Sequence, residues 1–386
     1  MPRAHAKLPA SGAHRWMNCP GSVKASELYP QTSSIYADEG TLAHSAAEET
    51  IETGAVSSST LAKIKSFYEV YKELGGSVEE VQESIAGYVD YVKEEYADQL
   101  RQDPAAVLLT EQRVDFSKYV PGGFGTSDVV IIGDGQLHIV DLKYGKGVPV
   151  SAENNPQLRL YALGAIEALE AIYNINDVAM TIYQPRLDSV STDIMSRKDL
   201  EAWGDEEVKP AAALALSKGA PFAAGDWCKF CPHRAKCKER AKVLEEIEAY
   251  REEISLDADD VAEILTKADQ LTAFIDDIKE QALQDALNGV EIPGWKVVEG
   301  RSNRKFTGSE DDIVERAEAA GFDKALLYET KMITLTAIEK IMGKKAFAAN
   351  MGDIVEKPIG KPTLAPESDK RPAYSTNAAI DDFADE

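Results

Sequence analysis

The sequence predicts an α/β protein, a central sheet covered by helices, and three stretches carry that prediction. Ser127–Ile132 and Leu137–Lys143 are apolar runs joined across Gly133-Asp134-Gly135, the composition of a tight hairpin. An Ala- and Leu-rich helical stretch follows from Pro156 to Tyr173, and Val178–Gln184 (VAMTIYQ) is again strand-like. Upstream, Ala37–Gly54, Leu61–Leu74 and Val78–Leu100 keep helical periodicity and supply the covering layer.

Each element has a local reason. Residues 11–22 read SGAHRWMNCPGS, where Cys19 precedes Pro20 and Gly21 at a loop or helix start. Ala37–Gly54 is rich in Ala and Glu and stops at Gly54, and His44 and Glu48 lie one turn apart on one face. Ser57–Thr60 is a polar hinge, and the two helical patterns within residues 57–105 form an elaboration without obvious chemistry. Val107–Phe116 is the first strand; its Glu111 is either an edge charge or part of a site. Thr192–Ser196 is a strand partner for Val178–Gln184, with Gln184-Pro185-Arg186 between them bringing Arg186 toward the site. Leu200–Leu216 is helical, with Pro210 expected to kink or split it.

Further on, Ala241–Gly289 has apolar residues at helix spacing, broken near Ser255–Ala258, and makes a helical arm over 241–290. Val290–Phe306 has the pattern of a hairpin with a basic second half. There Trp295 and Phe306 serve either core packing or base stacking. With short helices around Asp311–Ala320 and Leu335–Met342 it forms a small C-terminal α+β domain, 291–352. Residues 353–386, rich in Pro and charge, are expected to lack fixed structure.

The hairpin carries chemistry. If Asp134-Gly135 is the two-residue turn, Gly133 pairs with Gln136, and stepping outward sets Asp128 opposite Asp141. Side-chain alternation places Asp141 and Lys143 on one face and Leu142 on the other. Facing carboxylates need positive charge beside them. A magnesium or manganese ion is the simplest candidate, with Lys143 orienting the attacking water or stabilising charge on a phosphate. Taken alone, the carboxylates are better explained by a surface hairpin charged near one end, because Asp and Lys are common at strand ends.

The order Asp128, hairpin, Asp141-Leu142-Lys143, then Gln157-Leu-Arg-Leu-Tyr161 resembles the PD-(D/E)XK nuclease superfamily in its RecB-type branch, over about residues 10–240. The resemblance implies a restriction-endonuclease-like core with a central mixed β-sheet flanked by helices, and catalytic roles for Asp128, Asp141 and Lys143. It implies that Gly40-x-x-x-His44 supplies a histidine ligand, so that His44, Asp128 and Asp141 hold Mg2+ or Mn2+, with the Leu142 carbonyl and Glu111 as further ligands. Gln157 and Tyr161 would contact substrate or buttress Lys143. Two positions depart from the pattern: Ser127 stands where the superfamily has Pro, and Asp141 where Glu is commoner.

The chain has four cysteines, three of them in Cys228-x2-Cys231-x5-Cys237, the fourth being Cys19. Tight spacing in a reducing compartment argues for metal or cluster binding over disulfides, and four thiolates suit either zinc or a four-iron cluster. One cysteine before the G-x-x-x-H motif and three after the nuclease core is similar to AddB-type helicase-nucleases and CRISPR-associated RecB-like exonucleases. That resemblance implies a [4Fe-4S] cluster on Cys19, Cys228, Cys231 and Cys237, an iron-sulfur staple closing a domain over 1–240. The alternative is structural Zn2+, with His233 replacing one thiol. Lys229, Arg234, Lys236, Lys238 and Arg240 make this segment basic and a candidate DNA-contacting rim.

Against that rim stands the net charge of −24, from 42 Lys plus Arg and 66 Asp plus Glu, which excludes a broadly basic nucleic-acid surface and leaves only local ones. No apolar run approaches the roughly 20 residues of a membrane span and no signal-peptide pattern opens the chain, so a soluble, cytoplasmic protein without membrane contact is expected. The expected function is metal-dependent DNA hydrolysis. The chain would be an exonuclease acting on single strands or DNA ends in phage or prophage recombination, replication or repair, with recombination or single-strand-binding proteins as partners. The rival is a non-catalytic DNA-binding or scaffold protein that keeps the fold and cluster and works through its helical arm and tail.

Overall fold

A computed structural model describes residues 6–30, 33–248, 257–299, 307, 309–328, 332 and 334–355. The chain divides into two units, Met1–Val298 and Glu299–Glu386.

In the first unit the helices ahead of the sheet are α1 (Ala13–Asn18), α2 (Ser22–Ser26), α3 (Ile35–Thr53), α4 (Ser58–Val70) and α5 (Val78–Gln102). There follow β1 (Val107–Asp115), β2 (Phe124–Gly133), β3 (Gly135–Leu142), α6 (Pro156–Leu169), β4 (Ile175–Gln184) and β5 (Ser189–Ser196). The unit continues with α7 (Arg197–Trp203), α8 (Lys209–Leu216), α9 (Lys238–Glu248) and α10 (Ala258–Leu287). The five strands run in sequence order across one mixed sheet. Neighbours are antiparallel except β3 and β4, which are parallel. A parallel pair needs a long crossover, and α6 is that crossover.

The helix ends follow capping chemistry. Ser34 accepts from the Ala37 N–H to open α3, and Gly54, at φ 85°, closes it in the left-handed region that favours glycine. Ser77 caps α5 in the same way. Asn155 caps α6 by accepting from Gln157 and Leu158, with Pro156 at the first helical position, where its missing N–H is not needed.

Asp134-Gly135 forms the hairpin turn, and Gly133 pairs with Gln136 as the turn chemistry requires. A slip of one residue would invert both faces of the sheet. With this register Val130, Ile132, Leu137 and Ile139 pack against Leu158 and Leu163 of α6, Trp16 of α1 and Leu200 of α7. Val129, Ile131, Val140 and Leu142 pack on the other side, against Ala43 and Ala46 of α3, Ile64 of α4, and Ile85, Val89 and Val92 of α5. The sheet is thus sandwiched between two apolar layers, and the small alanines let α3 approach it closely.

One expectation is met and two are revised. The stretch Leu200–Leu216 splits ahead of Pro210, through a wide π turn at Gly204–Val208, and Pro210 sits in the first turn of α8. Pro210 has no N–H to carry one helix through. The expected arm comprises α9 and α10, with Asp257 capping α10 and residues 249–256 outside the described ones. α10 is not free, because its Asp277 binds Arg234 and its Asp285 binds Lys236 at 2.6 and 2.8 Å. The first part of the expected hairpin, Val290–Glu299, forms a turn and unpaired coil, and Arg301–Phe306 lie outside the described residues.

The second unit contains α11 (Glu310–Ala319), α12 (Leu335–Met342) and α13 (Lys344–Met351). Its described residues are helical or coil and include no strand, so the β part of the expected α+β domain is not found among them. The tail beyond Val355 is outside the described residues. Among the described residues, no helix is long and apolar enough to cross a membrane.

Candidate functional site

At one end of the sheet a row of acidic residues runs across three strands. Thr110 pairs with Val129 and Gln112 with Ser127, which leaves Glu111 opposite Asp128. Across β2 and β3, Val129 pairs with Val140, which puts Asp141 beside Asp128 on the other flank. Glu111 has φ 44°, a left-handed conformation that disfavours a non-glycine residue by roughly 1–3 kcal/mol. Such strain within a strand is held by its surroundings.

His44 reaches this row from α3, with Nδ1 3.1 Å from Asp128 Oδ1. The ligand atoms of His44, Glu111 and Asp128 all lie within 4.8 Å of one another, the only such group among the described residues. Glu48, Tyr88 and Leu142 line the same small cavity. The other oxygen of Asp128 accepts the Leu142 N–H at 2.7 Å, which fixes the carboxylate between the strands. Leu142 itself turns its side chain into the α3–α5 core.

Asp141 and Lys143 point to the α6 side, as alternation requires, and build a second, adjoining group with Gln157 and Tyr161. Lys143 Nζ lies 2.7 Å from Asp141 Oδ2 and donates to Gln157 Oε1 at 3.1 Å. Gln157 Nε2 donates to Asp141 Oδ1 at 3.1 Å and to the Tyr161 hydroxyl at 3.2 Å. The amide therefore closes a ring around the ion pair and locks the lysine, and Tyr161 backs the amide. Gly125 makes room for this, since a Cβ there would stand 2.7 Å from the Tyr161 ring. Of the sequence-predicted ligands, His44, Glu111 and Asp128 come together; Asp141 is held next to them by Lys143 and Gln157.

The charges explain the protonation states. Burial pulls the His44 imidazolium down, but the charge and hydrogen bond of Asp128 outweigh it and push its pKa up to about 9. Burial, then the neighbouring Asp128 charge, pushes Glu111 up to about 7. Asp141 is raised by burial, with Lys143 opposing and Asp128 adding to the rise. Burial works against the Lys143 ammonium, yet Asp141 keeps it above its ordinary value, so it stays charged. Three carboxylates stand beside one ammonium and one imidazolium, which must give up its proton before it can bind a metal. Oxygen-rich donor sets of this kind with one imidazole suit magnesium or manganese.

Two neighbours of the site have surroundings that a reading of the sequence does not supply, although Arg186 is expected near the site. Arg186 is buried, with Nη1 3.0 Å from Glu39 and Nε 3.2 Å from Glu80. Tyr68 donates to Glu39 at 2.7 Å, and the guanidinium stacks over the Tyr144 ring at 4.8 Å. Glu39 precedes Gly40 of the G-x-x-x-H motif, so this cluster fixes the helix that carries His44. Tyr88 of α5 is the second; among the tyrosines of that helix nothing in the sequence marks it, beyond its place between the core residues Ile85 and Val92.

A family model described as "Protein of unknown function (DUF2800)" matches residues 5–372. The chain belongs to the DUF2800 family. A solved structure described as "Crystal structure of SSO0001" is 18% identical, over 51% of this chain and 94% of that one, with a TM-score of 0.23.

The DUF2800 chain brings its four cysteines to one cavity, whose wall also includes Arg15, His233 and Arg240. All four are free; Cys19, Cys228 and Cys231 are buried and Cys237 is half-buried. Cys19 ends α1, and its Sγ accepts the Ala223 N–H at 3.4 Å while Gly21 N–H bonds Pro221 O at 2.8 Å, so the two distant segments are knitted together. A Cβ on Gly21 would stand 2.8 Å from the Phe222 ring, which explains the glycine. Burial raises the Cys228 and Cys231 thiols. Among the described residues no three of the thiols close to a mutual 4.8 Å. His233 is engaged through Nδ1 with the Tyr29 hydroxyl at 3.0 Å. The expected basic rim is altered by α10, which pairs Arg234 and Arg240 with Asp277 and Lys236 with Asp285.

Proposed function

We propose that this DUF2800 protein is a metal-dependent DNA nuclease of the RecB-type PD-(D/E)XK class. The observation that carries the proposal is the convergence of His44, Glu111 and Asp128 within 4.8 Å, next to the Asp141–Lys143–Gln157 ring. A donor set, a fixed ammonium and a crossover helix that braces it occupy one end of one sheet.

In this reading His44, Glu111 and Asp128 hold a magnesium or manganese ion, with Asp141 and the Leu142 carbonyl available beside them. Such an ion supplies Lewis acidity and lowers the pKa of water. Lys143 presents a positive charge where negative charge develops on the phosphoryl oxygens. Gln157 fixes the position of that ammonium, so no reorganisation is needed when the scissile phosphate arrives. In hydrolysis the oxygen of water bonds to phosphorus, the ester oxygen leaves and is protonated, and one water is consumed. Residues on the α6 side thus serve charge and orientation, and those on the α3 side serve the cation.

Cys19, Cys228, Cys231 and Cys237 are the proposed holders of a [4Fe-4S] cluster. What supports that reading is that the four thiols line one cavity; structural zinc is the alternative. Free thiols and such a cluster fit a reducing compartment, the cytoplasm. Exonucleolytic action on single strands or DNA ends, in phage recombination, replication or repair, completes the proposal. The second reading is a non-catalytic DNA-binding or scaffold role; the pairing of the basic segment with α10 takes cations from a DNA-contacting rim and favours its scaffold form.

Labelled single- and double-stranded DNA incubated with Mn2+ or Mg2+ decides between them. The wild-type protein cleaves and Lys143→Ala loses at least about a hundredfold in rate. Wild type and variant equally inert on every substrate would leave only the non-catalytic role.

A further inference from the structure

We infer that Tyr88 is a positioning residue of the metal centre, its hydroxyl donating a hydrogen bond that holds a solvent oxygen at the occupied site. The inference rests on the reading of His44, Glu111 and Asp128 as cation ligands and goes one step beyond it. Tyr88 is fully buried on α5, its side chain 1% exposed. Its ring meets Tyr183 edge-on, with centroids 5.5 Å apart at 61°. Its hydroxyl has no hydrogen-bond partner among the protein atoms. The ring lines the cavity formed by His44, Glu48, Glu111 and Asp128.

A buried hydroxyl left unpaired costs about 1–3 kcal/mol, and such groups are rare without a reason. Phenylalanine would fill the same volume with no such penalty. The other two tyrosines of α5 show the ordinary solution: Tyr96 donates to Ala106 O at 3.1 Å, and Tyr91 pairs with Thr181 at 3.4 Å. Tyr88 differs in facing the carboxylates of Asp128, Asp141 and Glu111, which, after burial, hold its phenol in the protonated form. It is therefore a donor. No protein atom accepts a hydrogen bond from it, so the acceptor is a further oxygen between the phenol and the ligands. A hard cation that keeps several waters brings such an oxygen.

The test uses the full-length protein stripped with chelator and titrated with MnCl2, followed by calorimetry and ultraviolet difference spectroscopy. Wild type shows a tyrosine difference band that saturates with Mn2+. Tyr88→Phe loses most of that band and binds Mn2+ roughly tenfold more weakly, while its metal-free melting temperature equals or exceeds that of wild type. Wild-type affinity and an unchanged band in Tyr88→Phe overturn the inference, as does a lower metal-free melting temperature, which marks a merely structural role. If Tyr88→Phe does not fold, wild-type saturation without any tyrosine band is the overturning result. Mn2+ binding lost in Glu111→Gln and kept in Tyr88→Phe sinks the Tyr88 role alone; a wild type that binds no Mn2+ sinks the metal centre with it.

Discussion

His44 Nδ1 on α3 and Asp128 Oδ1 on β2 meet at 3.1 Å. The contact joins a helix to the sheet at the one place where Ala43, Ala46 and Ala47 let the two come close. In the metal-free protein it is an ion pair, because Asp128 keeps the imidazole protonated. If the site binds a cation as proposed, that cation would have to displace this proton.

Stability of the metal-free protein therefore falls with rising pH. The folded-state pKa of His44, about 9, lies above its ordinary 6.5, and that of Glu111, about 7, above its ordinary 4.5. The native state holds the extra protons, so each stabilising contribution is complete below the ordinary value and gone above the folded one. Thermal unfolding in chelator should show a decline that begins above pH 4.5 with Glu111 and runs through about 9 with His44. Added Mn2+ should stabilise more as pH rises, since binding releases protons. A Mn2+ increment independent of pH contradicts the assignment.

The Lys143–Asp141 pair sits at the other half of the site, with Asp141 buried and Lys143 partly exposed. Lys143→Ala leaves a buried carboxylate without its cation, and we expect a loss of about 3 kcal/mol, the low end for a broken buried pair. Lys143→Ala combined with Asp141→Asn should recover most of it, measured by urea unfolding. A double variant no more stable than the single one places the defect elsewhere.

The sequence carried the hairpin and its register, because Asp-Gly admits few turns and a two-residue turn leaves one pairing: Gly133 with Gln136. From that pairing alone Asp128 and Asp141 become neighbours. The brace on Lys143 was readable in outline, since Gln157 and Tyr161 share a helix face, but not the closed ring of hydrogen bonds through one amide. Glu111 was ambiguous because its turn toward His44 depends on a left-handed backbone that no local pattern signals. Tyr88 was invisible as a site residue, and Arg186 was expected near the site without its partners Glu39 and Glu80, because those contacts are tertiary. The docking of α10 on Arg234, Lys236 and Arg240 was missed for the same reason: a basic segment says nothing about which acids will cover it.

Arg186 and Glu39 form a buried pair that sets the start of α3. Arg186→Met should cost about 3–5 kcal/mol, because Glu39 stays buried without its cation. It should also loosen the helix that carries His44, so Mn2+ affinity falls although no ligand has changed. Glu39→Gln added to Arg186→Met should restore stability. Hydrogen exchange across α3 measures the effect, and unchanged protection there would separate this cluster from the site.

The cysteine cavity makes its own prediction, because two elements depend on it. Cys19 ties α1 to the segment around Ala223, and Arg234 and Arg240, flanking Cys237, are gripped by Asp277 of α10. Protein purified without oxygen should be brown and carry about four irons per chain, and Ser at any of the four positions should remove the colour. Cys237→Ser should then raise hydrogen exchange in α10, whereas Cys19→Ser should raise it in α1. The proposed cluster would be shared, but the segment that each thiol holds is different. A colourless protein with one tightly held zinc replaces the cluster by a single ion, and unchanged exchange in both helices shows that the thiols do not staple the fold at all.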